Sequence, residues 1–141
     1  MTSGNGLRES VVSHLRLARS ASELRAYRRA VPVASVVAEV FCGWEDLFHP
    51  GTPLHGETFT TAEQEALARF DRVVDSVAEE TADDTGLEDW LNSSPWRVLS
   101  SEATVALVAL GVALEDADLH ADAVDDRVRS LRSLPRPPLI D

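Results

Sequence analysis

VASVVAEVFCGWEDLF, Val33 to Phe48, decides the fold class of this chain. Wound at about 3.6 residues per turn, Val33, Val36, Val37, Val40, Phe41, Trp44, Leu47 and Phe48 form one unbroken apolar stripe. No two-residue alternation runs through it, so the segment reads as a helix with one buried face and not as a strand. Gly43 interrupts the pattern at a cost of about 1 kcal/mol against alanine. Its presence implies close packing or a local kink. His49-Pro50-Gly51 closes the helix with turn chemistry, and a loop is expected from there to Phe59.

The flanking sequence is helical on both sides. Toward the N-terminus, Leu7 to about Arg29 places Val11, Val12, Leu15, Leu24 and Tyr27 near one face. Arg8, Arg16, Arg19, Arg25, Arg28 and Arg29 occupy the other. Ser20 and Ser22 are each able to cap a fresh start before Glu23, which leaves one helix or two shorter ones. Val31-Pro32 ends the segment, because a residue before proline is pushed out of the helical region.

Toward the C-terminus, Thr60 with Glu63, or Thr61 with Gln64, makes a capping box for a third helix. Leu67, Phe70, Val73, Val74 and Val77 form its buried face, with Ala66 beside them. A solvated connector follows from Ala82 to Gly86, then a short helix over Leu87 to Leu91 with Trp90 packed inward. Ser94-Pro95 reads as an N-cap and first helical position. Beyond it Trp96, Leu99, Ala103, Ala106, Leu107, Leu110 and Leu114 run through the core, with Gly111 as the site of a tight helix crossing. A last amphipathic stretch, Leu119, Val124, Val128, Leu131 and Leu134, either continues that helix or follows a bend near Glu115, until Pro135, Pro137 and Pro138 stop it. The expectation is one all-α domain over residues 1–141, a compact bundle of four to six helices with frayed tails at 1–6 and 135–141.

Trp44-Glu45-Asp46-Leu47-Phe48-His49-Pro50-Gly51, then Phe59-Thr60 with Glu63, Leu67 and Phe70, and later Pro95-Trp96, together resemble a pattern in small uncharacterised all-helical bacterial proteins. The likeness covers about Pro32 to Leu114. It implies an all-α fold and a bacterial source, and no activity.

Charge is distributed unevenly. Val31 to Asp126 holds 21 acidic side chains against three arginines, whereas Met1 to Ala30 holds six arginines against two acids. Arg127 to Asp141 adds four arginines and one acid, and the chain contains no lysine. The net charge of −11 repels nucleic acid and anionic membranes and attracts basic surfaces. A single cysteine, Cys42, rules out an internal disulfide; beside the apolar stripe it is expected to behave as a small hydrophobe. The first ten residues lack the apolar run of a signal peptide. The longest apolar run, Val105 to Leu114, is too short to cross a bilayer. A cytoplasmic protein is expected.

Chemistry-bearing groupings are few. His49, His55 and Glu57 share one loop and offer the three ligands of an open zinc site, with Glu45 or Asp46 one turn back. Turn and capping roles are the stronger account of the same residues, since a loop histidine after a helix caps carbonyls and His-Pro-Gly is turn chemistry. Glu79-Glu80-x-x-Asp83 and the distant Glu115-x-x-Asp118 are similar to the carboxylate pairs with which all-α nucleotide pyrophosphohydrolases hold Mg²⁺. The first pair falls at a helix end, however, and no lysine is present to meet phosphate. There is no Gly-x-Ser-x-Gly elbow and no phosphate-binding glycine loop.

The expectation is therefore a non-enzymatic acidic helical protein that engages a basic protein partner, as an immunity protein or antitoxin-like inhibitor does, without cofactor and without direct contact to nucleic acid or membrane. Glu45, Asp46, Glu57, Asp83, Asp84, Glu88 and Asp89 are the candidate contacts, because they cluster in loops and helix ends of the acidic body. Two alternatives stand beside it. One is a metal-dependent nucleotide or phosphoester hydrolase of the pyrophosphohydrolase type; the other is an accessory subunit that docks through its arginine-rich first helix. For that arginine face, pairing with the acidic helices of the same chain is the simpler account.

Overall fold

Serine and threonine side chains set most of the helix boundaries. The computed structural model describes residues 4–32 and 35–114. The helices are α1 (Gly4–Arg19), α2 (Ala21–Ala30), α3 (Val36–Leu47), α4 (Pro53–Thr58), α5 (Thr61–Glu80), α6 (Leu87–Leu91) and α7 (Ser94–Ala109). No strand occurs among the described residues, and the chain is all-α. Among those residues no helix is long and apolar enough to cross a membrane.

Ser20 divides the arginine-rich N-terminal segment: its hydroxyl accepts the Glu23 N–H and opens α2. Of the tails expected at 1–6 and 135–141, residues 4–6 belong to α1, and the rest lies outside the described residues. Arg8 holds that first turn by bonding to Glu63 and to the Leu110 carbonyl. At the other end of α1, the carbonyls of Ala18 and Arg19 have no helical partner. Trp96 Nε1 donates to the first at 3.0 Å and Ser100 Oγ to the second at 2.8 Å, so α7 caps α1.

α3 starts at Val36, because Ser35 accepts the Ala38 N–H, and the expected start at Val33 lies outside the described residues. Val36, Val37, Val40 and Trp44 are buried, while Phe41, Leu47 and Phe48 are partly so. The expected loop after His49 contains α4. Thr52 caps it and Pro53 occupies its first turn, and six residues are too few for an apolar period to announce a helix. α5 carries the Thr60–Glu63 capping box, with both reciprocal bonds formed at 3.1 and 3.0 Å. The cap of α7 is Ser93, one residue earlier than expected.

α7 ends at Ala109 and does not run through to Leu114. Gly111 takes φ +79, its N–H bonds to the Val108 carbonyl, and the Val112 N–H bonds to that of Leu107. That is a glycine-terminated helix end, in which the left-handed residue turns the chain and satisfies the last carbonyls. It is not a helix crossing, since nothing lies within 4 Å of the position a Cβ would take. Gly43, by contrast, is a close approach: a Cβ there would stand 2.9 Å from His14 Cε1.

The apolar core draws on α1, α2, α3, α5, α6 and α7 and on Phe59 at the end of α4, with α7 packed most extensively against α5 and α1. Its aromatic centre is Trp44, stacked on Phe48 at 5.2 Å and edge-on to Phe70 at 4.8 Å. Trp44 Nε1 donates to Asp71 at 2.9 Å. Trp90, buried against Phe41, has no hydrogen-bond partner for its indole N–H among the described residues. The outer face of α7 leaves Val98, Val105 and Val108 exposed.

Candidate functional site

Helix geometry separates the histidine loop that sequence reasoning singled out. On α4 the chain advances about 100° per residue, so His55 and Glu57 point in nearly opposite directions. His55 is buried, 2% exposed, and Glu57 is on the surface. His49 is exposed, and its Nε2–H donates to the Asp46 carbonyl at 2.9 Å, capping the end of α3. No group of three histidine, cysteine, aspartate or glutamate side chains that could hold a metal ion occurs among the described residues. Glu79, Glu80 and Asp83 fall at the end of α5 and just beyond it, all exposed. Their suggested partners Glu115 and Asp118 lie outside the described residues.

The acidic candidates form two surface groups. Glu45 and Asp46 are exposed in the last turn of α3, with Glu57 on the neighbouring α4. Asp83, Asp84, Glu88 and Asp89 occupy the α5–α6 connector and the start of α6, also exposed. Of these seven, only Glu88 is ion-paired among the described residues: Arg25 of α2 grips it with two bonds of 2.8 and 2.9 Å. The Arg25 guanidinium holds the Glu88 carboxyl below the usual carboxylate range.

Arg25 and Arg8 thus bear out, for part of the basic face, its expected pairing within the chain. Arg8 Nη1 and Nη2 bond to the two carboxylate oxygens of Glu63 at 3.1 and 2.9 Å, and Nη2 reaches the Leu110 carbonyl at 2.7 Å. Its guanidinium also sits 5.9 Å from the Phe59 ring centroid. Glu63 is held well ionised by Arg8 first, and by the Thr60 cap. Arg19 is buried, with Nε donating to Thr104 Oγ1 at 3.0 Å.

Cys42 corrects the sequence expectation. It projects to the surface from α3 as a free thiol, because it lies off the stripe defined by Val40 and Trp44.

What sequence reasoning missed is a cavity. α1, α3, α4 and the turn at His49 border a half-open pocket of about 360 Å³, with Leu7, Leu47 and Leu54 as apolar wall and Ser10, Asp46, His49, Thr52 and His55 as polar groups. Ser10, Asp46 and Leu47 also border a shallower cleft of about 710 Å³ between α1 and α3, which reaches Glu9, His14 and Gly43. His55 is clamped by two phenylalanine rings, Phe48 edge-on at 5.4 Å and Phe59 tilted at 5.2 Å. Burial pushes its imidazole pKa down, and the neighbouring His49 pushes it the same way. His14 is likewise shifted down by burial, against the opposing pull of its Nε2–H bond to the Val40 carbonyl at 2.9 Å. Both rings are therefore neutral at pH 7. The sequence signals for this region were the loop of His49 and His55, read as a candidate metal site, and Gly43, whose missing side chain makes room for His14 beside the neighbouring cleft.

Compared with known proteins, the chain matches no family model, no curated protein and no solved structure.

Proposed function

We propose that this chain is a non-enzymatic binding protein, cytoplasmic, that engages a basic protein surface and acts in the manner of an inhibitor that shields a basic enzyme. The observation that supports this is the state of its candidate contacts. Glu45, Asp46, Glu57, Asp83, Asp84 and Asp89 are exposed and make no ion pair among the described residues. Three arginines are engaged on other carboxylates, Arg8 on Glu63, Arg25 on Glu88 and Arg69 on Glu102, and so do not neutralise these six. Carboxylates held on helix ends of a packed body keep their positions on binding, so little side-chain scaffold has to be ordered when a cationic partner docks. The same field accelerates encounter with a basic partner and repels acidic competitors.

The test compares the full chain with two neutralised variants, Glu45→Gln/Glu57→Gln and Asp83→Asn/Asp84→Asn/Asp89→Asn, immobilised and exposed to lysate of the source cell at about 50 mM salt. The expected result is a basic protein that binds the native chain, elutes as salt is raised, and is lost with one variant or both. Equal retention by all three proteins, or capture of nothing basic, overturns the proposal.

A further inference from the structure

We infer that the half-open pocket between α1, α3 and α4 is a binding site for an organic cation, an ammonium or guanidinium group on a short apolar stem. The first support is His55. Its side chain is 2% exposed and lines the cavity. Its ring has aromatic neighbours on two sides but no hydrogen-bond partner among the described residues. A neutral imidazole keeps one nitrogen as an acceptor, and a ring fixed between two aromatic neighbours on the pocket wall offers that acceptor to a ligand without further ordering.

The second support is the sign of the lining. Asp46 and Ser10 line the same pocket as His55, and no arginine borders it. The Thr52 hydroxyl is already spent as a donor on the His49 carbonyl at 2.8 Å, which leaves it an acceptor. A neutral imidazole nitrogen, a carboxylate and such hydroxyls accept hydrogen bonds. An anionic ligand would meet Asp46 with nothing to offset it, whereas an ammonium or guanidinium supplies donors and charge together. Leucines of α1, α3 and α4 provide the apolar wall for a stem. A volume of about 360 Å³ lies at the small end of ligand pockets, which suits a small amine or one long side chain.

The same chemistry has two sources: a free amine, or a lysine or arginine side chain of a protein partner, and the latter rests on the function proposed above. The test is a titration of the full-length ¹⁵N-labelled chain, followed on the histidine ring nitrogens, with phenethylammonium, with phenylacetate, and with the peptide Gly-Gly-Lys-Gly-Gly. The expected result is a saturable shift of the His55 ring signals by phenethylammonium, with a dissociation constant of about 1 mM. Phenylacetate should produce none. Asp46→Asn should weaken binding by about tenfold or more, the effect of removing a charged partner, and being a surface change it should leave thermal unfolding as it was. His55→Gln, followed on the His49 ring that lines the same pocket, should weaken it as well. A response to the peptide that matches the amine assigns the site to a partner's side chain, and a response to the amine alone assigns it to a free metabolite; each supports the cation site. Absence of saturation, equal binding of phenylacetate, or full binding by Asp46→Asn overturns it. So does loss of amine binding in Asp83→Asn/Asp84→Asn, which would reveal diffuse attraction to the acidic body. Failure of the amine titration alongside salt-sensitive capture of a basic protein refutes the pocket and leaves the acidic surface standing.

Discussion

Replacing Gly43 by alanine should destabilise the protein, although the same change in an open helix stabilises it. In mid-helix the substitution gains about 1 kcal/mol of propensity. Here the new Cβ would stand 2.9 Å from Cε1 and 3.3 Å from Nδ1 of His14, inside normal contact distance. The ring has to turn away and give up its bond to the Val40 carbonyl, a loss of about 1 kcal/mol. Displacing it within packed surroundings near Trp44 costs about 1–3 kcal/mol more. The net effect is a destabilisation of about 1–3 kcal/mol. A double-mutant cycle isolates the cause. In a His14→Ala background the obstacle is gone, and Gly43→Ala should then stabilise by about 1 kcal/mol, giving a coupling of about 2–4 kcal/mol. Urea unfolding of the four proteins, read as midpoint shifts at constant slope, measures each term. Equal effects of Gly43→Ala in the two backgrounds would refute the reasoning.

Arg8→Met should cost about 1–2 kcal/mol, a figure already reduced for the partial exposure of Arg8, because it strips Glu63 and the Leu110 carbonyl of one shared donor. Arg69→Met, which loses an exposed pair with Glu102, should cost distinctly less; equal midpoint shifts would contradict the assigned role of Arg8. Acidification should weaken the fold in two stages. His14 and His55 have folded pKa values below the ordinary 6.5, so their contribution is complete above that pH and is lost as pH falls through their folded values. Glu63, held below 4.5, adds a further loss in more acid solution. Stability that stays flat or rises from pH 6.5 to about 5 would show the two imidazoles are not held neutral. Cys42, exposed on α3, should react with a thiol reagent in the native protein about as fast as in the denatured one, and marked protection would place it in an interface.

Much of the fold was legible in one dimension because its signals are local. The stripe from Val36 to Phe48, the Thr60–Glu63 box and the Val31-Pro32 stop each act within a turn or two of helix, and each holds in the structure. α4 escaped because its six residues are shorter than the period that would reveal a helix. The end of α7 was misplaced because the apolar run continues past Gly111. Only the backbone hydrogen bonds show that Gly111 turns the chain there.

The site divides along the same line. Which residues carry charge, and that most of the carboxylates stay in water, follows from composition and helical periodicity alone, since ions not paired are not buried. Which of them meet does not. Glu63 and Arg8 are 55 positions apart, Glu88 and Arg25 are 63, and only packing brings them together. Likewise the cavity joins Ser10 of α1, Asp46 of α3 and His55 of α4, three residues with no common spacing in the chain. A local pattern chooses the face each helix buries. The partners that face will find, and the space left between them, depend on contacts among distant segments, which is why tertiary structure alone decided them.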